Sequence, residues 1–246
     1  MGEVSVILNV YKRPYSLEKQ IEAIKKQTVK VDSLDIHIWF NNPEDAKVIQ
    51  KLPIDKNIKT YVCNYNTKFF GRFTLPLLCK TKYVAMFDDD IIPGEKWLEN
   101  CINSIRIQDG IYGGSGILLH SDAYLPHTKI GWNQVNNDKI TEVDLVGHAW
   151  FFKQEYAKFM WLEQPPSWDN GEDMFFSYVA KKNNIKTFVP PHPKNNVSLW
   201  SNNPKLDNNM GRDANAHSLA NPNHVQQRNN IVKALINRGW KRVESK

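Results

Sequence analysis

The chain has 246 residues, of which 41% are hydrophobic and 24% charged, values typical of a globular protein with a substantial core. It contains no apolar run near the length of about 20 residues that a membrane-spanning helix needs, which excludes such a span. Its three cysteines are too few for a disulfide framework, and the N-terminal residues lack the basic and then apolar order of a secretory signal. We therefore expect a cytoplasmic protein.

The formal net charge of +6 is unevenly distributed along the chain. Residues 1–180 hold 20 Lys and Arg against 23 Asp and Glu, whereas residues 181–246 hold 12 against 3, a net charge of +9. This excess predicts an anionic partner for the last quarter of the chain, and either nucleic acid or the phosphates of a nucleotide would satisfy it. A solvated basic tail is the alternative.

Strand and helix patterns alternate through the first hundred residues. Residues 4–10 (VSVILNV) are apolar and β-branched, which predicts a strand. Ser16 is placed to cap a helix whose Leu17, Ile21 and Ile24 share one face. Further strands are predicted at residues 36–40 and 83–87, and further helices at residues 44–51 and 95–106.

The second half is less regular but continues the same pattern. We predict strands at residues 110–120, 143–152 and 185–189, a helix at residues 172–182, and a final helix that begins at Asn221-Pro222. The alternation predicts one α/β domain over residues 1–246, with a mainly parallel central sheet flanked by helices. Because ligands bind at the carboxyl ends of such strands, the loops at residues 11–14, 41–43 and 88–93 should gather at one edge.

Three consecutive carboxylates, Asp88, Asp89 and Asp90, follow the apolar strand at residues 83–87. They would repel one another unless solvent, hydrogen-bond donors or a cation compensated their charge. Oxygen ligands suit Mg²⁺ or Mn²⁺, and either cation bridges readily to phosphate oxygens. A solvated acidic turn is the alternative, but the position at the end of a central strand favours a metal site.

A second acidic group, Glu172-Asp173, opens the predicted helix at residues 172–182. One of these carboxylates is a candidate general base, or the group that faces a developing positive charge. Asp169 competes for the same role, and simple complementarity to the helix dipole is the alternative explanation.

Other side chains are weaker candidates. His192 follows Pro190-Pro191 and is a candidate third metal ligand, with His217 and His224 as alternatives and a solvent-facing loop histidine as the other interpretation. Arg13, Lys68 and Arg72 are candidates for contact with a diphosphate. Asn41 and Asn42 either read a base or ribose or only form a turn, and Trp168 either stacks on a sugar ring or belongs to the core. The sequence has neither a Walker A motif nor GxGxxG.

In this order, the motifs resemble those of GT-A-type glycosyltransferases, particularly the exostosin-like enzymes and their small chlorovirus-type relatives. The resemblance covers roughly residues 4 to 240. It rests on NVYKRP at residues 9–14, WFNN at 39–42, NTKF at 66–69 and GRF at 71–73 before the DDD (DXD) triplet, EDMFFSY at 172–178 before Pro190-Pro191, and HVQQR at 224–228 before Gly239-Trp240. We expect the protein to lack the membrane anchor, stem and C-terminal cysteine pairing usual in Golgi members. That departure favours a viral, phage or bacterial-type enzyme, located in the host cytoplasm if viral.

The resemblance implies a single Rossmann-like GT-A domain. Residues 1–107 would bind the nucleotide sugar, residues 108–246 would bind the acceptor, and the basic C-terminal segment would close the site. Asp90, with Asp88, would hold Mn²⁺ (or Mg²⁺), and His192 is a further candidate ligand. Substrate contacts are expected from Tyr11, Arg13, Asn41, Asn66, Arg72, Asp88, Asp89, Trp168 and Arg228, the last of these at the diphosphate.

The implied activity is metal-dependent transfer of a sugar from a nucleotide-diphosphate sugar, in particular a UDP-sugar, to a hydroxyl of a glycan or glycoprotein acceptor. Asp173, with Glu172 beside it, would be the general base of an inverting reaction. In a retaining, exostosin-like reaction the same carboxylate would stabilise the oxocarbenium-like face. A non-catalytic carbohydrate-binding protein and a metal-dependent phosphoryl-transfer enzyme or nuclease are the alternatives. We expect no nucleic-acid partner, because no recognised nucleic-acid module is present.

Overall fold

The computed structural model describes residues 3–29, 34–52, 58–131, 137–206 and 211–243. In these ranges nine strands form one sheet, and helices flank it, which confirms the predicted α/β fold class. The strands are β1 (Val4–Val10), β2 (Leu34–Phe40), β3 (Ile58–Val62), β4 (Tyr83–Phe87), β5 (Ile111–Leu119), β6 (His127–Ile130), β7 (Thr141–Val143), β8 (Leu145–Lys153) and β9 (Thr187–Val189). The α-helices are α1 (Leu17–Lys25), α2 (Trp97–Ile107), α3 (Glu172–Lys182), α4 (His217–Ala220) and α5 (His224–Asn237).

The first four strands are parallel and lie in the order β3-β2-β1-β4. Strands β1 and β4 are almost entirely buried, as expected for parallel strands that are covered on both faces. The register pairs Val10 with Phe40 and Leu8 with Phe87. The chain therefore leaves β1, β2 and β4 at the same edge of the sheet, which brings the predicted loops together.

The second half of the sheet is mixed in direction. Strand β8 runs antiparallel to both β4 and β5, strand β6 pairs with β5, and β9 runs parallel to β5 and antiparallel to β7. The sheet is therefore continuous between residues 1–107 and 108–246, and the assignment of these halves to donor and acceptor stays a prediction.

The predicted strand at residues 143–152 is wrong in one respect, because the chain divides it at Asp144. The buried carboxylate of Asp144 accepts hydrogen bonds from the backbone N–H groups of Leu119 and Val243. At this residue the chain passes from β7, which pairs with β9, to β8, which lies at the centre of the sheet. A carboxylate in an otherwise apolar run thus marks a boundary between two strands.

Several element ends also differ from the sequence-based predictions. A 3-10 turn, Pro14–Ser16, precedes α1, and the Ser16 hydroxyl donates to the carbonyl oxygens of Arg13 and Asp89 rather than capping the helix. Residues 43–51 form 3-10 turns instead of an α-helix. Strand β3 was not predicted, because its alternating IKTYV pattern is that of a largely exposed edge strand. Further 3-10 helices cover Gly71–Leu78, Gln154–Trp161 and Val197–Leu199.

The C-terminal helix α5 begins at His224 and packs against α3. Its Ile231, Val232 and Leu235 are buried in the same core cluster as Phe175 and Val179 of α3. None of the helices in the described ranges has the length and apolar character that a bilayer crossing requires.

Candidate functional site

The three predicted loops meet at the carboxyl edge of the parallel strands. The Tyr11 N–H donates to Asp89 Oδ2 over 3.1 Å, and the Lys12 N–H donates to Asp45 Oδ2 over 2.6 Å. The Asp88 N–H donates to the carbonyl oxygen of His148 over 3.2 Å. Because β8 runs antiparallel to β4, its first residues also lie at this edge.

Arg13 joins the acidic triplet to the C-terminal segment. Its Nη1 lies 2.7 Å from Asp89 Oδ1, and the side chains are 7% and 8% exposed, respectively. Burial raises the pKa of Asp89 to about 7, with the charge of Asp90 adding to this effect and Arg13 opposing it. Arg13 also donates to Asp213, which holds the pKa of that carboxyl well below its usual range. Sequence reasoning missed Asp213, because it lies in a polar stretch with no motif around it.

Asp90 carries the least satisfied carboxylate of the triplet. Its Oδ1 is buried and has no hydrogen-bond partner, and its Oδ2 lies 3.7 Å from Arg13 Nη1. Burial and then the charge of Asp88 raise its pKa, while His148 and Arg13 oppose the shift. Gly211 (φ +80°) lies against it so closely that a Cβ there would be 2.3 Å from Oδ2. The C-terminal segment thus covers this carboxylate.

Arg72 connects the two acidic groups predicted from the sequence. It is buried, donates to Asp88 and lies with Nη2 3.3 Å from Glu172 Oε1. Its guanidinium also lies over the ring of Trp150, 4.9 Å from the centroid. Burial raises the pKa of Glu172 to about 7, with the charge of Asp173 adding to this effect and Arg72 opposing it. The triplet and the start of α3 therefore form one connected cluster.

Asp173 lies in the first turn of α3, next to β8. Its Oδ1 accepts a hydrogen bond from the N–H of Met174, and its Oδ2 accepts one from Arg228 Nη2 over 2.6 Å. A Cβ on Gly147 of β8 would lie 3.7 Å from Oδ2. Arg228 was expected at a diphosphate, whereas the structure places its guanidinium against this carboxylate.

Asn41 organises the loop that contains Asn66. Its Nδ2 donates to Asn66 Oδ1 and to the Lys68 carbonyl, and its Oδ1 accepts from the N–H and hydroxyl of Thr67. Asn66 in turn donates to the Tyr11 hydroxyl over 2.9 Å. The Asn41 amide is thus occupied by the protein itself, and Tyr11 and Asn66 form the more exposed part of this group.

Trp168 lies beside the same loop. It is 52% exposed and makes an edge-to-face contact with Phe70, with centroids 5.0 Å apart. Lys68 Nζ lies 2.6 Å from Asp169 Oδ1 in an exposed ion pair. These contacts join the loop after β3 to the loop before α3 and leave about half of the Trp168 side chain exposed.

His192 is 3% exposed and stacks on Trp200, with ring centroids 4.2 Å apart. It also forms a backbone bridge with Asn137. His224 Nδ1 lies 3.4 Å from Asn170 Nδ2, and the side chain of His217 lies outside the described residues. Within the described ranges, no group of three or more His, Cys, Asp and Glu side chains is arranged to hold a metal ion.

The backbone of the site adopts uncommon conformations. Lys12, Lys68 and His148 have φ values of 63°, 56° and 67°, in the left-handed region that non-glycine residues rarely enter. Each belongs to a segment that contacts the carboxylates or their supporting loop. Such strain persists only where surrounding contacts fix the chain, and it clusters at functional sites.

Comparison with known proteins identifies the fold. No protein-family model matches the chain, and no curated protein matches it in sequence. The structure of Staphylococcus aureus TarS 1-349 matches with a TM-score of 0.56 and 14% identity, covering 78% of this chain and 60% of that one. The same TarS protein in complex with UDP-GlcNAc matches with a TM-score of 0.56 and 13% identity, covering 80% of this chain and 60% of that one. The chain thus spans about 60% of the length of these structures and shares their fold.

Proposed function

We propose that the protein transfers a sugar from a nucleotide-diphosphate sugar, specifically a UDP-sugar, to a hydroxyl group of a glycan acceptor. The observation that carries this proposal is the connection of Asp88 to Glu172 through Arg72, which places the two acidic groups in one site. The motif resemblance supports it, as does the shared fold with TarS, one structure of which contains UDP-GlcNAc.

The charge of the site supports a divalent cation, Mn²⁺ or Mg²⁺. Six carboxylates, from Asp88, Asp89, Asp90, Glu172, Asp173 and Asp213, surround three guanidinium groups, from Arg13, Arg72 and Arg228. A diphosphate would add further negative charge, which a cation must offset. Asp90 fits this role because its buried Oδ1 has no protein partner, and Asp88 is the second candidate ligand. When bound, the cation would stabilise the charge that develops on the departing diphosphate.

The donor is expected to lie along the edge formed by β1, β2 and β4. Arg13 and Arg72 flank the triplet and would supply charge-assisted hydrogen bonds to phosphate oxygens. Tyr11 and Asn66 would contact the uridine, since their polar groups lie at the exposed end of the loop that Asn41 holds. Asp89 holds Arg13 in place and is the candidate for contact with the ribose or sugar.

The acceptor is expected beside α3, with a sugar ring stacked on the exposed face of Trp168. Asp173 would accept the proton of the acceptor hydroxyl as its oxygen bonds to the anomeric carbon. The bond from that carbon to the diphosphate breaks in the same step, which inverts the configuration. Glu172 is the more deeply buried of the two carboxylates, so we expect Asp173 rather than Glu172 to take the proton.

The test is a panel of UDP- and GDP-sugars with Mn²⁺, Mg²⁺ or EDTA, followed by calorimetry for donor binding and by NMR for transfer or donor hydrolysis. We expect cation-dependent binding of a UDP-sugar and a product of inverted configuration. Asp173→Asn should bind the donor but lose transfer. The control is Asp169→Asn, which changes an exposed neighbouring carboxylate and should keep both binding and transfer.

A product of retained configuration would show that the enzyme follows the retaining mechanism instead of the inverting one. Absence of binding to every nucleotide sugar would refute the proposal, and glycan binding without turnover would identify a carbohydrate-binding protein.

A further inference from the structure

Arg228 lies at the centre of the acceptor side of the site. Its side chain is 7% exposed and extends from the start of the second turn of α5. Its Nη2 donates to Asp173 Oδ2 over 2.6 Å, and its Nη1 donates to Asn170 Oδ1 over 3.3 Å. Its Nε is buried with no hydrogen-bond partner. Hydrogen bonds alone therefore fix only part of this guanidinium.

Tyr124 supplies the remaining contact. Its ring lies 4.3 Å from Arg228 Cζ, a distance typical of a cation–π interaction. The ring also makes an edge-to-face contact with His127, with centroids 4.7 Å apart. Burial raises the pKa of Tyr124, so its ring is uncharged at neutral pH. The guanidinium is thus held between an aromatic face and a carboxylate.

The backbone of Tyr124 is attached to the same helix. Its N–H donates to Asn229 Oδ1 over 2.7 Å, and Asn229 is the residue next to Arg228. His127 Nδ1 bonds the Tyr124 carbonyl oxygen over 2.7 Å. The turn between β5 and β6 is therefore fixed to α5 at the position where Arg228 reaches Asp173.

We propose that Tyr124 is a positioning residue, which holds Arg228 against Asp173 and thereby orients the carboxylate that accepts the acceptor proton. This inference rests on the proposed function. An arginine has five N–H donors, so without the ring the guanidinium could turn away from Asp173 and towards Glu172. A displacement of about 1 Å at such a group is enough to lower a catalytic rate by roughly 10²-fold.

Two substitutions distinguish the contribution of the Tyr124 ring from that of its hydroxyl. Tyr124→Phe keeps the aromatic face, whereas Tyr124→Leu removes it and keeps apolar bulk. We expect kcat to fall by about tenfold or more in the Leu variant, with the KM and Kd of the UDP-sugar within about twofold of wild type, and the Phe variant to stay within about twofold in all three. NMR of the ¹⁵N-labelled arginine side chains should show a distinct Arg228 signal in wild type and the Phe variant that averages towards free arginine in the Leu variant.

An unchanged kcat in Tyr124→Leu would overturn the inference. A parallel loss of kcat, donor affinity and Tm would also overturn it, because it would show a purely structural role. If the wild type transfers no nucleotide sugar, the proposed function fails and the arginine NMR decides the positioning claim alone. An averaged Arg228 signal in the Leu variant then supports the contact, and an unchanged signal rejects it.

Discussion

Arg13 donates from Nε and Nη2 to the two oxygens of Asp213, a residue 200 positions further along the chain. This two-bond arrangement is the one in which arginine binds a carboxylate or a phosphate. In the proposed function, Asp213 would therefore occupy the part of Arg13 that binds the diphosphate. Tyr15 also donates to Asp213, over 2.9 Å, which fixes the carboxylate in this position.

We expect Asp213→Asn to bind a UDP-sugar more tightly, by roughly 3- to 10-fold, because one charged competitor for Arg13 is removed. Titration calorimetry in Mn²⁺ measures the change. Asp109→Asn removes the same charge from a pair with Lys153, away from the site, and should leave affinity within about twofold. Weaker binding by Asp213→Asn would show instead that Asp213 completes the donor site.

Asp90→Asn should abolish the Mn²⁺-dependent part of UDP binding, because it removes the carboxylate with an unpartnered oxygen. The fold should persist, since Arg13 keeps Asp89 and Asp213 as partners. Asp109→Asn is the control, because that carboxylate pairs with Lys153 at the far end of β8. Equal Mn²⁺ responses in wild type and Asp90→Asn would remove Asp90 from the cation site.

The pKa of Glu172, raised by burial to about 7, predicts a pH-dependent stability. An unfolded glutamate titrates near 4.3, so between about pH 4 and pH 7 the folded state binds more protons than the unfolded state. The contribution of Glu172 to the free energy of unfolding therefore falls as the pH rises through this window. Relative to wild type, Glu172→Gln should gain about 1–3 kcal/mol between pH 4 and pH 8 in urea denaturation.

Glu163→Gln is the control for that experiment, because Glu163 forms a more exposed pair with Lys182. Its stability difference from wild type should stay nearly constant over the same range. A constant difference for Glu172→Gln as well would contradict the raised pKa.

Alanine substitutions at two glycines with positive φ distinguish the effect of backbone strain from the effect of contact with Asp90. Alanine at Gly211 (φ +80°) would place its Cβ 2.3 Å from Asp90 Oδ2, whereas at Gly239 (φ +98°) nothing lies within 4 Å. Both substitutions should cost roughly 1–2 kcal/mol of stability through strain. Only Gly211→Ala should also weaken cation-dependent donor binding, by about fivefold or more, because it displaces the carboxylate. Similar donor affinities in the two variants would show that Gly211 does not act on the site.

The sequence was sufficient for features that depend on local pattern. Apolar runs identified β1 and β4. Because Asp88, Asp89 and Asp90 follow β4 directly, they showed which edge of the sheet is acidic. The predicted meeting of the loops at residues 11–14 and 88–93 brings Arg13 into contact with Asp89. The expected contact of Arg13 with a diphosphate stays a prediction.

What the sequence did not reveal depends on distant partners. Asp213 reaches Arg13 and Arg228 reaches Asp173 only because α5 and the segment before it fold back over the sheet. No periodicity or spacing encodes such pairs, since their side chains are 200 and 55 positions apart. The division of β7 from β8 likewise depends on hydrogen bonds to Asp144 from remote parts of the chain.

The close packing of α5 on Gly171 has a consequence for synthesis. A Cβ on Gly171 would lie 2.6 Å from Ile231, so this helix seats directly on the turn that presents Glu172 and Asp173. A chain emerging from the ribosome folds from its N-terminal end, and it would display the acidic groups before Arg228 exists to balance Asp173. Nascent chains and products cut before α5 should therefore lack the contact of Arg228 with Asp173 and expose the apolar surface that α5 covers. In the proposed function, activity would therefore require that α5 has been made and has packed on this turn.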